Sequence, residues 1–276
     1  MRCYIKLTFC IGLIGVCLIF NLLLFQAEQL KQPVFLKHYY ELGLEEYTIF
    51  TIGCLMNKND TRELVQIEFP ELTGEGHFFR VSLGNQFNLN AHHDQREYWI
   101  EYHYKGEGMP IEEEISLTRA KVMFNNGEEM DIPIGQIIFY PVEHERAILE
   151  DGMSQASSSG ETSFSGIFTE DVRFDGIKST LDPLVKDFIE IRINGMPPEP
   201  QSFKQGMAWK LEGKMEIDSK DSRRFNYYEI QSRIYFEDLK GEEIIDQVLN
   251  LRYTPYFSRI DSYKYLREEG GGLDEI

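Results

Sequence analysis

The chain has 276 residues, a length that suits one large or two ordinary domains. Hydrophobic residues make up 42%, enough for a packed core, and the 13% of aromatic side chains favours strands, whose half-buried pleats accept flat rings. A formal net charge of −18 repels phosphate backbones and argues against nucleic-acid binding; it also holds the folded part off anionic lipid headgroups and in solution.

Residues 1–6 form a basic n-region carrying Arg2 and Lys6, and residues 7–25 are apolar apart from Thr8 and Asn21. A helix over that run reaches about 30 Å, the thickness of a bilayer's hydrocarbon core. Phe25-Gln26-Ala27 puts a bulky side chain at the −3 position of the best cleavage site, so a retained transmembrane helix, a signal-anchor, is expected. The positive charges before the span predict a single-pass plasma-membrane protein with a cytoplasmic amino terminus and an extracytoplasmic remainder. Cys3, Cys10 and Cys17 recur every seven residues and fall on one stripe of such a helix. Cys54, alone outside it in an apolar setting, can close no bridge within the chain and suits a buried, inert thiol.

Residues 26–47 show little alternation and contain Pro33, as a stem would. Beyond them period-two patterns dominate, with one face apolar and the other polar, the mark of antiparallel sheets. Val65, Ile67 and Phe69 alternate with polar neighbours; Tyr98, Ile100, Tyr102 and Tyr104 share one face; Trp209, Leu211, Met215 and Ile217 share another. Asn126-Gly127 separates two such runs and accepts the positive φ angles of a type I′ turn; Asn194-Gly195 and Gly241 mark further hairpins. Asp182 followed by Pro183 opens a short helical turn near residue 186. The fold class is therefore mainly β, with antiparallel sandwich-like lobes over residues 48–150 and 167–266. Residues 151–166, rich in Ser and Gly, read as a linker or long loop, and residues 267–276 as a disordered acidic tail.

No phosphate-binding loop, nucleophile elbow, zinc-protease helix, paired Cys-x-x-Cys or EF-hand loop is present, which points away from an enzyme. His92, His93 and Asp94 are proper ligands for a divalent cation. Adjacent histidines on a strand face opposite ways, however, so they chelate together only in a loop or bulge, joined by His77 and His103 from elsewhere. Glu112-Glu113-Glu114 reads as a solvated charge run. Trp99 and His103 lie on the side of their strand opposite the tyrosines: if only the tyrosine face is core, Trp99 looks outwards and can serve an interaction, whereas a sheet covered on both sides makes Trp99 core, the reading that the rarity of large exposed aromatics favours. Tyr227, Tyr228, Tyr253, Tyr256, Phe257, Tyr263 and Tyr265 make the C-terminal part aromatic, as a core or a protein contact would be. The expected function is a non-enzymatic interaction or accessory module of the cell envelope, attached to the membrane through residues 7–25, with an envelope or membrane protein as partner. The alternatives are a metal-dependent hydrolase or sensor at His92, His93 and Asp94, and a glycan-binding module built on Trp99.

Overall fold

The alternating segments fold as strands, and the molecule is mainly β with several antiparallel sheets. A computed structural model describes residues 2–72, 74, 76–142, 148–156 and 160–268. One sheet has the order β1 (Val34–Phe35), β3 (Tyr47–Asn57), β6 (His93–Tyr104), β5 (His77–Asn88). The largest runs β13 (Gln201–Phe203), β11 (Val172–Lys178), β15 (Tyr227–Asp238), β2 (His38–Leu44), β8 (Glu129–Pro141), β7 (Ile115–Phe124), β4 (Leu64–Glu68), with β16 (Glu243–Tyr253) also on β15. The third has the order β12 (Ile189–Ile193), β14 (Ala208–Met215), β10 (Glu161–Phe168), β9 (Leu149–Ala156).

Among the described residues every strand pairing is antiparallel except those of β2, which lies parallel to both β15 and β8. This strand falls in the segment read as a stem. Its residues are buried on both faces, apart from the half-buried Tyr39, so the polar alternation that betrays a half-wet strand is missing. Through β2, strands from the two halves of the chain join one sheet. β9 and β10 form a hairpin across the Ser/Gly-rich stretch, of which residues 157–159 lie outside the described residues, as do 269–276 of the acidic tail.

Two hydrophobic clusters fill the molecule, one on each face of the large sheet. The first joins Phe50, Ile52, Tyr98, Ile100 and Tyr102 to Tyr40, Leu42, Ile137 and Phe139. The second joins Phe168, Trp209 and Leu211 to Tyr228, Ile230, Phe236 and Ile138. Neighbours along one strand thus serve different cores: Tyr227 belongs to the first and Tyr228 to the second. Glu41, buried in β2, accepts hydrogen bonds from the Ser179 hydroxyl, the Thr180 N–H at 3.1 Å and the Arg233 guanidinium at 3.2 Å. Arg233 also reaches Glu114, at 3.2 Å, so the Glu run ends in an ion pair. Burial raises the pKa of Glu41 against the pull of these donors.

The turns depart from expectation in one respect. At Asn126-Gly127 only the glycine is left-handed, with φ 83°, and its N–H donates to the Phe124 carbonyl at 2.9 Å. That is a three-residue loop built on an ordinary turn rather than type I′. Asn194 and Gly195 do have φ of 50° and 81°, and Ile193 and Met196 exchange both backbone hydrogen bonds around them. α2 (Asp182–Val185) forms where the Asp-Pro pair predicts a helical turn, but it starts one residue earlier, with Leu181 at the N-cap and Pro183 second; α3 (Arg259–Glu268), with Ser262, Tyr265 and Leu266 buried, lies where the sequence shows no convincing helical period.

The amino-terminal helix, α1 (Arg2–Ala27), brings a correction. Among the described residues no helix is long and apolar enough to cross a membrane. The transmembrane anchor at residues 7–25, and the single-pass plasma-membrane placement built on it, are therefore not upheld.

Gly135 of β8 has φ 90°, and a Cβ there would stand 2.5 Å from the His38 carbonyl oxygen of β2. Gly135→Ala should destabilise the protein by about 3 kcal/mol in a denaturant titration, through backbone strain and collision together. His38 is fully buried, and its Nε2 accepts the Gly53 N–H at 2.9 Å, which requires the neutral ring. Burial lowers its pKa from 6.5 to about 3. Below pH 6.5 the unfolded chain takes up a proton that the folded one refuses, so stability falls as pH drops. The loss should be roughly 2 kcal/mol by about pH 5, and His38→Gln, which keeps an acceptor, should flatten that slope.

Candidate functional site

The outer face of the β1–β3–β6–β5 sheet is half covered and half bare. Strand register places Tyr47, His103 and Phe78 side by side, then Ile49, Glu101 and Arg80, then Thr51, Trp99 and Ser82. Directly opposed residues share a face, so these nine lie on one surface. Beyond Thr51 that surface is closed by the chain's own C-terminal part. A Cβ at Gly53 would collide with the Tyr227 ring. The Tyr227 hydroxyl accepts from Gln95 Nε2 at 2.7 Å and donates to Glu97 Oε1 at 2.8 Å. Phe225, Phe257, Tyr265 and Leu266 add to the same cluster.

The other half has no such cover among the described residues. Tyr47, Ile49, Phe78 and Trp99 are each 46–50% exposed, although Tyr98, Ile100 and Tyr102 between and beside them are wholly buried. Trp99 therefore looks outwards, the tyrosine face being core. Its indole rests on β5 at Gly84, where a Cβ would come within 2.7 Å of Nε1. The Tyr47 and His103 rings meet tilted at 45°, with centroids 4.9 Å apart, and Lys105 Nζ lies 4.9 Å from the centre of the Phe78 ring. Glu101 stands 3.8 Å from both Arg80 and His103. The charges on this surface are thus matched within it, unlike those of the chain as a whole.

His92, His93 and Asp94 lie at the far end of β6 from His103. Asn90 Oδ1 accepts the backbone N–H of both histidines, at 2.8 and 2.9 Å, and this turn sends the two rings to one segment. His92 Nε2 lies 2.8 Å from the Glu28 carboxylate and His93 Nε2 2.8 Å from the Glu28 carbonyl oxygen. Asp94 is buried and accepts from Gln86 Nε2 at 2.7 Å. Burial lowers the pKa of His93, favouring the neutral ring that donates to Glu28. His77 is engaged elsewhere, 2.8 Å from the Tyr102 hydroxyl. Among the described residues no group of three or more His, Cys, Asp or Glu side chains is placed to hold a metal ion. The histidine pair instead fastens the segment after α1 to the sheet, beside Asn57, whose side chain exchanges two 2.8 Å hydrogen bonds with the Leu30 backbone. Cys54 is buried, its thiol pushed up to about 12, as an inert cysteine should be.

Sequence reasoning found Trp99 and His103 but not Tyr47, Ile49 or Phe78, which reach the same surface from other strands. Tyr47 and Ile49 sit at the start of a nearly continuous apolar run, where no alternation separates outward from inward residues.

No protein family matches the sequence, and no curated protein matches it. Among solved structures the chain is similar to the secreted serine protease VesC from Vibrio cholerae, with 10% identity and a TM-score of 0.24 over 84% of this chain and 52% of that one. The chain thus spans about half of that protein. It is also similar to a protein of unknown function from Porphyromonas gingivalis W83, with 12% identity and a TM-score of 0.23 over 80% of this chain and 97% of that one. Likeness at this level carries no argument about fold or activity.

The two tryptophans make the exposure testable, since Trp209 is 1% exposed and Trp99 46%. In Trp209→Phe the remaining emission should be red-shifted and readily quenched by acrylamide; in Trp99→Phe it should be blue and resistant.

Proposed function

We propose that this chain is a non-enzymatic interaction or accessory module that receives a partner protein on the bare half of the β3–β6–β5 surface. In this reading the three sheets make two sandwich-like lobes sharing the large sheet, and the first lobe presents the contact. The observation that carries it is the joint exposure of Trp99, Tyr47, Ile49 and Phe78 on one rigid face, beside a half that the chain covers with its own aromatic residues. Large apolar side chains gathered in one patch mark contact surfaces, and Trp and Tyr supply much of the energy in them. Because Glu101 is matched by Arg80 and His103, a partner meets little of the repulsion that a net charge of −18 creates elsewhere.

Crosslinking in cells followed by affinity purification of the tagged full-length chain tests this reading. One stoichiometric protein should be recovered with the wild type and lost with Trp99→Ala combined with Ile49→Ser, whose affinity should fall by about 3 kcal/mol, over a hundredfold. A partner held equally by both forms would move the contact elsewhere, and recovery of the chain alone would overturn the proposal. The indole on its Gly84 seat, with Glu101 in the next row of the sheet, also meets the needs of a sugar ring, which stacks on an aromatic face and hydrogen-bonds at its edge. Binding of the wild type, but not Trp99→Ala, to insoluble polysaccharide would favour that second reading.

A further inference from the structure

A different part of the molecule offers a second kind of contact. β12 is an edge strand, paired only with β14. The Asn194 N–H donates to the Lys210 carbonyl and the Phe188 carbonyl accepts from the Glu216 N–H, both at 2.8 Å. In an antiparallel ladder such pairs recur every second residue, so Phe188, Glu190, Arg192 and Asn194 turn their backbone groups towards β14. Ile189, Ile191 and Ile193 turn theirs outwards. Those of Ile193 are taken by Met196, at 2.7 and 3.0 Å. Extending the register of that bridge puts Pro198 opposite Ile191, and proline has no N–H to give. The hairpin stops there. No partner among the described residues takes the outward N–H and C=O groups of Ile189 and Ile191.

These groups are not on an open flank. They face a groove of about 580 Å³ that β12 lines together with Asp182 and Lys186 near α2, and with Pro197 and Pro198. The Ile189 and Ile191 side chains pack inwards against the second core, which fixes the strand. On the outer face Arg192 pairs with Glu190 at 2.6 Å, and the Asp182 carboxyl, its pKa raised by burial, has the Ser179 N–H and the Lys186 charge working against that rise. The groove is therefore locally neutral.

We infer that the free edge of β12 is a strand-addition site, taking an extended, uncharged segment of a partner polypeptide as a further strand of the third sheet. The alternation of donor and acceptor at Ile189 and Ile191 fits an extended backbone, and no side chain can supply that spacing. Local neutrality selects an uncharged segment. A second copy of this chain is opposed by the −18 that each copy carries. The inference is independent of the aromatic surface in the first sheet.

The test uses the full-length chain and a phage-displayed library of random peptides, with the selected peptides made synthetically. Peptides should emerge that slow amide hydrogen exchange at Ile189 and Ile191 in the wild type. They should bind about tenfold more weakly to Ile191→Pro, which removes one outward N–H and leaves the β14 ladder untouched. Trp99→Ala should bind them as the wild type does. Exchange protection in the wild type decides the matter even if Ile191→Pro folds poorly. Selected peptides that leave both amides unprotected, no selected peptide, or a dimer that Ile191→Pro dissolves would each overturn the inference.

Discussion

The structure depends on one strand, β2, lying parallel between β15 and β8. It brings the two halves of the chain into one sheet, and its alternate residues point into opposite cores. Such a strand has no wet face, so every polar group on it needs a partner inside the molecule. Glu41 shows how that is met. Its carboxylate is enclosed by a hydroxyl, a backbone N–H and the Arg233 guanidinium, and Arg233 in turn reaches Glu114. Taking two charges out of water costs several kcal/mol per ion, so this arrangement adds little net stability. What it does is fix the positions of three segments far apart in sequence: β2, the stretch before β7 and the turn before α2.

The sharing of one sheet also explains the divided outer face of the β1–β3–β6–β5 layer. Tyr227 begins β15, next to β2, and from there its ring reaches over Gly53 to the far side of β3. The chain before and after it supplies the other aromatic groups that close this half. Cover therefore ends where the reach of these residues ends, near Thr51, and the remaining half is left to solvent or to another molecule. The same sheet carries a buried polar cluster at Gln95, Glu97 and Tyr227 on one half and an apolar, charge-matched surface on the other.

Much of the β architecture was legible because its strands alternate. The tyrosine face of β6 and the Trp209 face of β14 could be assigned inwards from pattern alone, but not the direction of Trp99, since alternation does not say whether the second face of a sheet is covered and a large aromatic favours burial. The failures have a common physical origin. β2 reads as a stem because burial on both faces erases the period. Much of β9 and β10 falls in residues 151–166, where Ser and Gly suggest a flexible linker or long loop, whereas paired strands also accept small residues. His92 and His93 looked like ligands by identity, but their partners, the carbonyl and carboxylate of Glu28, lie 65 residues away from His93 and are set by tertiary contact. The β12 edge could not be read at all, since which backbone groups are free depends on pairing.

Parallel pairing near the amino terminus has a kinetic consequence. β2 meets β8 only after a connection of nearly a hundred residues, and β15 after one almost twice as long. Contacts so distant in sequence delay folding, because loop closure must precede any gain from pairing. As the chain leaves the ribosome, strands β3 to β8 emerge long before Tyr227 and Leu266, which close the outer side of the first core. Until those residues arrive, the half of the sheet around Gly53, Gln95 and Glu97 lies open, and the unfinished first core is exposed to association that a chaperone would have to prevent.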